Sequence, residues 1–133
     1  MLLLDTNIVS YFIYNAHWKD QYVPILRDKT LLISFMTLAE MLESAYHRWL
    51  GERNLRLFKE RLSAEYFVIP WSEKIGDRFA RIRFQRRTRP ISVPDALIAA
   101  TALAYELPLV THNANDFTGI DGLRLITCYK EGE

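Results

Sequence analysis

Apolar and polar positions follow two rhythms along this chain. Leu2–Leu4, residues 31–33 (LLI) and Leu109–Val110 are short aliphatic runs bounded by polar or turn residues, the pattern of buried strands. Residues 66–69 and 123–126 have a similar form. Between these runs the spacing becomes helical. Ile8, Phe12 and Ile13 share one helical face, and Leu38, Met41, Leu42, Ala45, Tyr46 and Trp49 form a wide stripe ended by Gly51. Leu55, Phe58 and Leu62 suggest another helix. Ile75, Phe79 and Ile82 give a clean apolar face, with Lys74, Arg78 and Arg81 on a second face. Residues 95–106, DALIAATALAYE, are apolar nearly all round, which predicts a helix packed closely on more than one side.

Strands that alternate with helices, with room for one or two helices in every crossover, predict an α/β layer fold with a parallel sheet. The 133 residues show no linker, repeat or low-complexity segment, so one domain over residues 1–133 is expected, with 128–133 as a tail.

Composition narrows the class. Half the residues are apolar and a quarter charged, the balance of a globular protein. The apolar runs fall far short of the roughly 20 residues of a membrane helix, and Asp5 interrupts any secretory signal. Cys128 is the single cysteine, which excludes an intrachain disulfide and a multi-cysteine zinc site. A cytoplasmic location without membrane contact is the expectation. The net charge of +1 hides an asymmetry: between Lys74 and Arg89 lie seven basic residues and one acid, Asp77. Such a segment suits either a polyanion or a solvated helix face.

Four carboxylates hold similar positions. Asp5 and Asp116 follow the first strand and the 109–110 strand, Glu40 is placed in the first turn of the helix after the second strand, and Asp95 opens the alanine-rich helix. Each has a local structural role open to it. Thr37 to Glu40 reads as a capping box, Ser92 to Asp95 has a similar form with Pro94 in the first turn, Asn113 to Asp116 suits a short helix, and Asp5 suits a cap. Taken together they suggest more. The carboxyl ends of parallel strands share one edge, where open α/β folds bind ligands. Four carboxylates gathered there repel and raise each other's pKa values, and a divalent cation removes that cost. All-oxygen donors suit Mg²⁺ or Mn²⁺. A cation there makes a bound water more acidic and neutralises a phosphate, and arginines draw in a polyanion, so a metal-dependent phosphodiesterase acting on nucleic acid is the expected chemistry. Thr6, Asn7, Thr111 and Asn113 are placed to hydrogen-bond the carboxylates, a water or a phosphate, although turn and cap chemistry explains them equally well. His112 reads as a surface group, as do His17 and His47.

The segments LLLDTN, TLAE, DALIAATA and LVTHNANDF, in that order, resemble PIN-domain ribonucleases, and among them the VapC toxins of VapBC toxin–antitoxin pairs. The resemblance spans residues 2–125. It implies a three-layer α/β/α sandwich with a short, mostly parallel sheet and an acidic pocket for Mg²⁺ or Mn²⁺. Asp5 and Asp95 match the direct metal ligands, and Glu40 and Asp116 match positions that bind directly or through water. Thr111 and Asn113 match the polar pair before the last acid. The implied function is an endoribonuclease toxin cutting structured or looped tRNA or rRNA, neutralised by a cognate VapB-type antitoxin that also binds operator DNA. A homodimer, and a heterotetramer or larger with antitoxin, is implied. Two features depart from the family pattern: Glu43-Ser44 stands where a glycine is frequent, and RTRPISVPD precedes the third acid with two prolines. Arg86, Arg87 and Arg89 are the expected RNA-backbone contacts. The rival readings are a PIN nuclease of RNA processing, a PIN module that binds RNA or protein without cutting, and an aspartyl-phosphate phosphotransferase, which would want a second acid where Asn7 stands. Tyr11, Phe12, Tyr14, Trp18, Trp49 and Trp71 are expected to be mainly core, with a share in a dimer or antitoxin surface.

Overall fold

The computed structural model describes residues 1–48 and 51–128; Trp49 and residues 129–133, most of the expected tail, lie outside the described residues. The elements run β1 (Leu2–Leu4), α1 (Thr6–Ile13), α2 (Lys19–Leu26), β2 (Leu31–Ser34), α3 (Phe35–His47), α4 (Gly51–Glu65), β3 (Phe67–Ile69), α5 (Glu73–Gln85), α6 (Val93–Ala104), β4 (Leu109–Val110), a 3₁₀ turn (Ala114–Phe117) and β5 (Leu125–Ile126). Among the described residues the strands form one sheet of order β3-β2-β1-β4-β5, every neighbouring pair parallel.

The order explains the leucines of β1. As the central strand it is buried on both faces, and its side chains alternate between them. Leu3 joins Ile75, Ile82, Ile98 and Leu109 in a core beneath α5 and α6. Leu2 and Leu4 join Ile8, Tyr22, Ile33, Met41 and Leu62 in a second core beneath α1 to α4. Two cores on opposite faces of one sheet make the expected three-layer sandwich. The alanine stretch behaves as its all-round apolar character predicts: Ala96, Ala99, Ala100, Ala102 and Ala104 of α6 are all buried.

Three local expectations are corrected. Helix α2 was not foreseen; Pro24 interrupts its pattern, although Tyr22 and Leu26 are buried one turn apart. Helix α3 starts at Phe35, because the Ser34 side chain accepts from the Thr37 amide at 3.0 Å. Glu40 therefore sits in the second turn, and the Thr37 to Glu40 capping box does not form. Gly51 opens α4 at φ 79°, a backbone setting that suits glycine, and α3 ends earlier, with Arg48 as its C-cap.

Ala99 and Ala100, both 0% exposed, leave no space for larger side chains. Replacing either by leucine is expected to destabilise the protein by about 1–3 kcal/mol through overpacking, read as a lower urea midpoint at unchanged slope.

Candidate active site

Strands β2 and β3 lie on one side of β1, and β4 and β5 on the other. The direction of strand succession thus reverses between β1 and β4, and a crevice opens beyond their carboxyl ends. Asp5 leaves β1 at that point and Thr111 leaves β4. The Thr111 hydroxyl donates to Asp5 Oδ2 at 2.7 Å and accepts from the Asn113 amide at 3.1 Å. Asp5 Oδ1 accepts from the Thr6 amide at 2.8 Å, so the same carboxylate caps α1. The capping role and membership of the acidic cluster belong to one side chain.

Thr6 connects the next acid. Its hydroxyl donates to Glu40 Oε1 at 2.7 Å and lies 3.0 Å from the Thr37 hydroxyl. Asp95 enters from α6, where the Ser92 hydroxyl accepts from its amide at 3.2 Å, the cap that Ser92-Val-Pro-Asp95 suggested. Asp116 lies exposed on the 3₁₀ turn after β4. Asp95 and Asp116 line an open cleft of about 300 Å³ together with Arg89, Pro90, Ser92 and Asn115.

The electrostatics tie the acids together. Asp5 is 6% exposed, and burial lifts its pKa to about 6, with further upward pushes from Asp95 and Glu40 and opposing pulls from the Thr111 and Thr6 hydrogen bonds. Glu40 is raised by partial burial and then by Asp95, against the pull of the Thr6 hydroxyl. Asp95 is raised by partial burial and by Asp116, while Ser92 pulls it down. The four acids therefore form a row of neighbours. Among the described residues no three His, Cys, Asp or Glu side chains are gathered tightly enough to enclose an ion. The donor set itself, carboxylate oxygens without cysteine, is of the chemical kind that suits a small hard cation such as Mg²⁺. The Asn7 amide supports the fit: both its nitrogen and oxygen are buried and lack a protein partner, a costly state that a bound water would relieve.

The basic and aromatic expectations divide. Arg86 is 8% exposed; its Nε donates to the Arg89 carbonyl and its Nη1 to the carbonyls of Asp116 and Thr118. It braces the turn carrying Asp116 against the end of α5 and lines the same cleft as Asp95 and Asp116. Arg87 is exposed, with its guanidinium over the Phe84 ring, and Arg89 is exposed at the cleft and donates to Thr118 Oγ1 at 2.6 Å. His112, read as a surface group, is 7% exposed, with Nδ1 in a 2.7 Å hydrogen bond to the Tyr22 hydroxyl. Sequence spacing does not pair these two residues, which are 90 positions apart. His17 and His47 are exposed as expected. Tyr11, Phe12 and Tyr14 pack partly buried on the second core, whereas Trp71 is 54% exposed. Ser44 Oγ is 2.7 Å from the Tyr14 hydroxyl.

The chain belongs to the PIN domain family, which matches residues 2–123. Within that family its likeness is to VapC proteins. It is 30% identical over 124 residues to the tRNA(fMet)-specific endonuclease VapC of Shigella flexneri, covering 92% of this chain and 93% of that protein. Its fold superposes on a toxin–antitoxin complex from Klebsiella pneumoniae with a TM-score of 0.78 at 28% identity, covering 98% of this chain and 99% of that one. For the DNA-bound VapBC of Salmonella typhimurium the TM-score is 0.80 at 27% identity, with 96% and 98% covered.

A carboxyl group with a raised folded-state pKa binds its proton more tightly folded than unfolded. Stability then falls as pH rises from the unfolded value of 3.8 to about 6. In the absence of divalent ions, Asp5→Asn is expected to raise stability at pH 7.5 by on the order of 2 kcal/mol and to change it little at pH 3.5. Thermal melts at the two pH values measure the difference; an equal effect at both would mean that ionisation of Asp5 carries no such cost.

Proposed function

We propose that this protein is a divalent-metal-dependent endoribonuclease toxin of the VapC type. The observation that carries this reading is the buried Asp5 carboxylate, held by Thr111 and Thr6 at the β1/β4 crevice and coupled to Glu40, Asp95 and, through Asp95, Asp116. The likeness to proteins named as ribonucleases and tRNA endonucleases supports RNA as substrate.

Asp5 and Asp95 would hold Mg²⁺ or Mn²⁺ directly, with Glu40 and Asp116 acting directly or through water. The bound ion supplies charge neutralisation at the phosphate and a more acidic water. The residues themselves supply position. Thr111 aims Asp5, Thr6 aims Glu40, and the Arg86 brace fixes the turn on which Asp116 rides. Arg89 stands at the cleft to meet the phosphate backbone. A water oxygen bonds to phosphorus as the bond to the 3′ oxygen breaks, and a proton passes to that oxygen. The ends left are a 5′-phosphate and a 3′-hydroxyl. A cognate VapB-type antitoxin would cover the pocket, a role supported by the toxin–antitoxin complex that this fold matches, and operator DNA would be reached through that partner. A homodimer in the cytoplasm completes the reading.

Purified protein is expected to cut single-stranded or looped RNA with Mg²⁺ or Mn²⁺, to stop in excess chelator, and to lose cleavage in Asp5→Asn and Asp95→Asn. RNA cut equally well under chelator would refute the mechanism. Thr111→Val keeps the ligand set but releases Asp5, and is expected to lower the cleavage rate by about 10–100-fold, checked by the rate of product formation under saturating metal.

A further inference from the structure

An aromatic column leaves the carboxylate row toward solvent. It starts at Thr111, which is 0% exposed and bound to Asp5. The next residue, His112, is held at Nδ1 by Tyr22, itself 0% exposed, and is edged by Tyr11 at a centroid distance of 5.5 Å and 84°. Trp18 lies against the His112 ring at 4.5 Å and 50°, and His17 lies against Trp18 at 4.8 Å and 36°. The order runs from a buried ring through a partly exposed one to an exposed one. Trp18 also occupies the N-cap of α2, where Ser, Thr, Asp or Asn would bond the helix amides, and it makes no capping hydrogen bond.

We infer that the column His112–Trp18–His17 is a base-stacking subsite, which takes the nucleobase of a single-stranded RNA whose phosphate lies at the carboxylate row. The inference rests on the endoribonuclease reading above. Aromatic rings bind unstacked bases of any identity, because every base has a π-face. Burial holds the His112 pKa below its ordinary value, which favours the uncharged ring against its tilted and edge-on aromatic neighbours. Arg89 lies at the cleft of Asp95 and Asp116. Phosphate attraction and base stacking would then be supplied by separate parts of the fold, the α1–α2 connection and the segment after β4 providing the stack.

The test uses Asp95→Asn protein, in which loss of cleavage is expected, and fluorescence anisotropy with two probes: a short mixed-sequence single-stranded RNA, and the same ribose-phosphate backbone without bases. Trp18→Leu is expected to weaken binding of the base-bearing RNA about ten-fold and to leave the base-free backbone unchanged. Trp18→Phe keeps most of the affinity, and His17→Ala, at an exposed site, gives a smaller loss with the same selectivity and carries the test should Trp18→Leu fail to fold. Equal weakening of both probes, or none, overturns the inference. So does a loss of antitoxin binding with RNA affinity intact, which would make the column a protein-docking surface. If the protein without substitutions neither binds nor cuts RNA, the endoribonuclease reading falls and this subsite with it; if it cuts RNA and these variants do not separate the probes, only the subsite falls.

Discussion

The hydrogen bond from Thr111 to Asp5 joins the two strands between which the sheet changes direction. It sits beyond the carboxyl ends of two paired strands, at the point where strand succession reverses, and ties them with a 2.7 Å contact. A buried carboxylate is tolerable only with partners, and Asp5 has the Thr111 hydroxyl on one oxygen and the Thr6 amide on the other. Both partners are delivered by the backbone path of β1, β4 and α1. The rest of the site is arranged outward from that fixed point: Thr6 turns its hydroxyl to Glu40, and α6 brings in Asp95.

The arrangement opposes stability at neutral pH. Burial and neighbouring acids both work against ionising Asp5, and partial burial does the same to Glu40 and Asp95. A fold selected for stability alone would place apolar or amide side chains here. The apolar layers offset the strain: β1 is enclosed on both faces, and α6 is packed by alanines that allow close approach to its neighbours. A double core supports a row of acids that raise one another's pKa values.

Much of this was readable from residue order, because strands and acids both leave strong local marks. Aliphatic runs such as Leu2–Leu4 and Leu109–Val110 have the length and flanks of buried strands, and both formed where expected. The parallel arrangement then implied that acids following strands would share an edge. What residue order did not disclose depends on pairings between distant parts of the chain. Arg86 looked like one of several surface arginines until its carbonyl partners across the fold were seen. His112 looked exposed because its partner Tyr22 belongs to a helix hidden by Pro24. Thr37 looked like a cap because Ser34, the residue that does cap, also ends a strand.

That junction at Ser34 has a consequence for how such a chain can diverge. Strand β2 ends on Ser34 and α3 begins on Phe35, with no intervening loop. Each residue of an α-helix turns the face by about 100°. Inserting or deleting a single residue between Ser34 and Glu40 would therefore swing Glu40 away from Thr6, whatever residue was added. Substitution in this stretch changes chemistry one side chain at a time, whereas a change of length alters the phase of a whole helix. Length variation among descendants of this chain should be scarce between β2 and Glu40 and concentrate in surface connections whose ends do not set the rotation of a site helix.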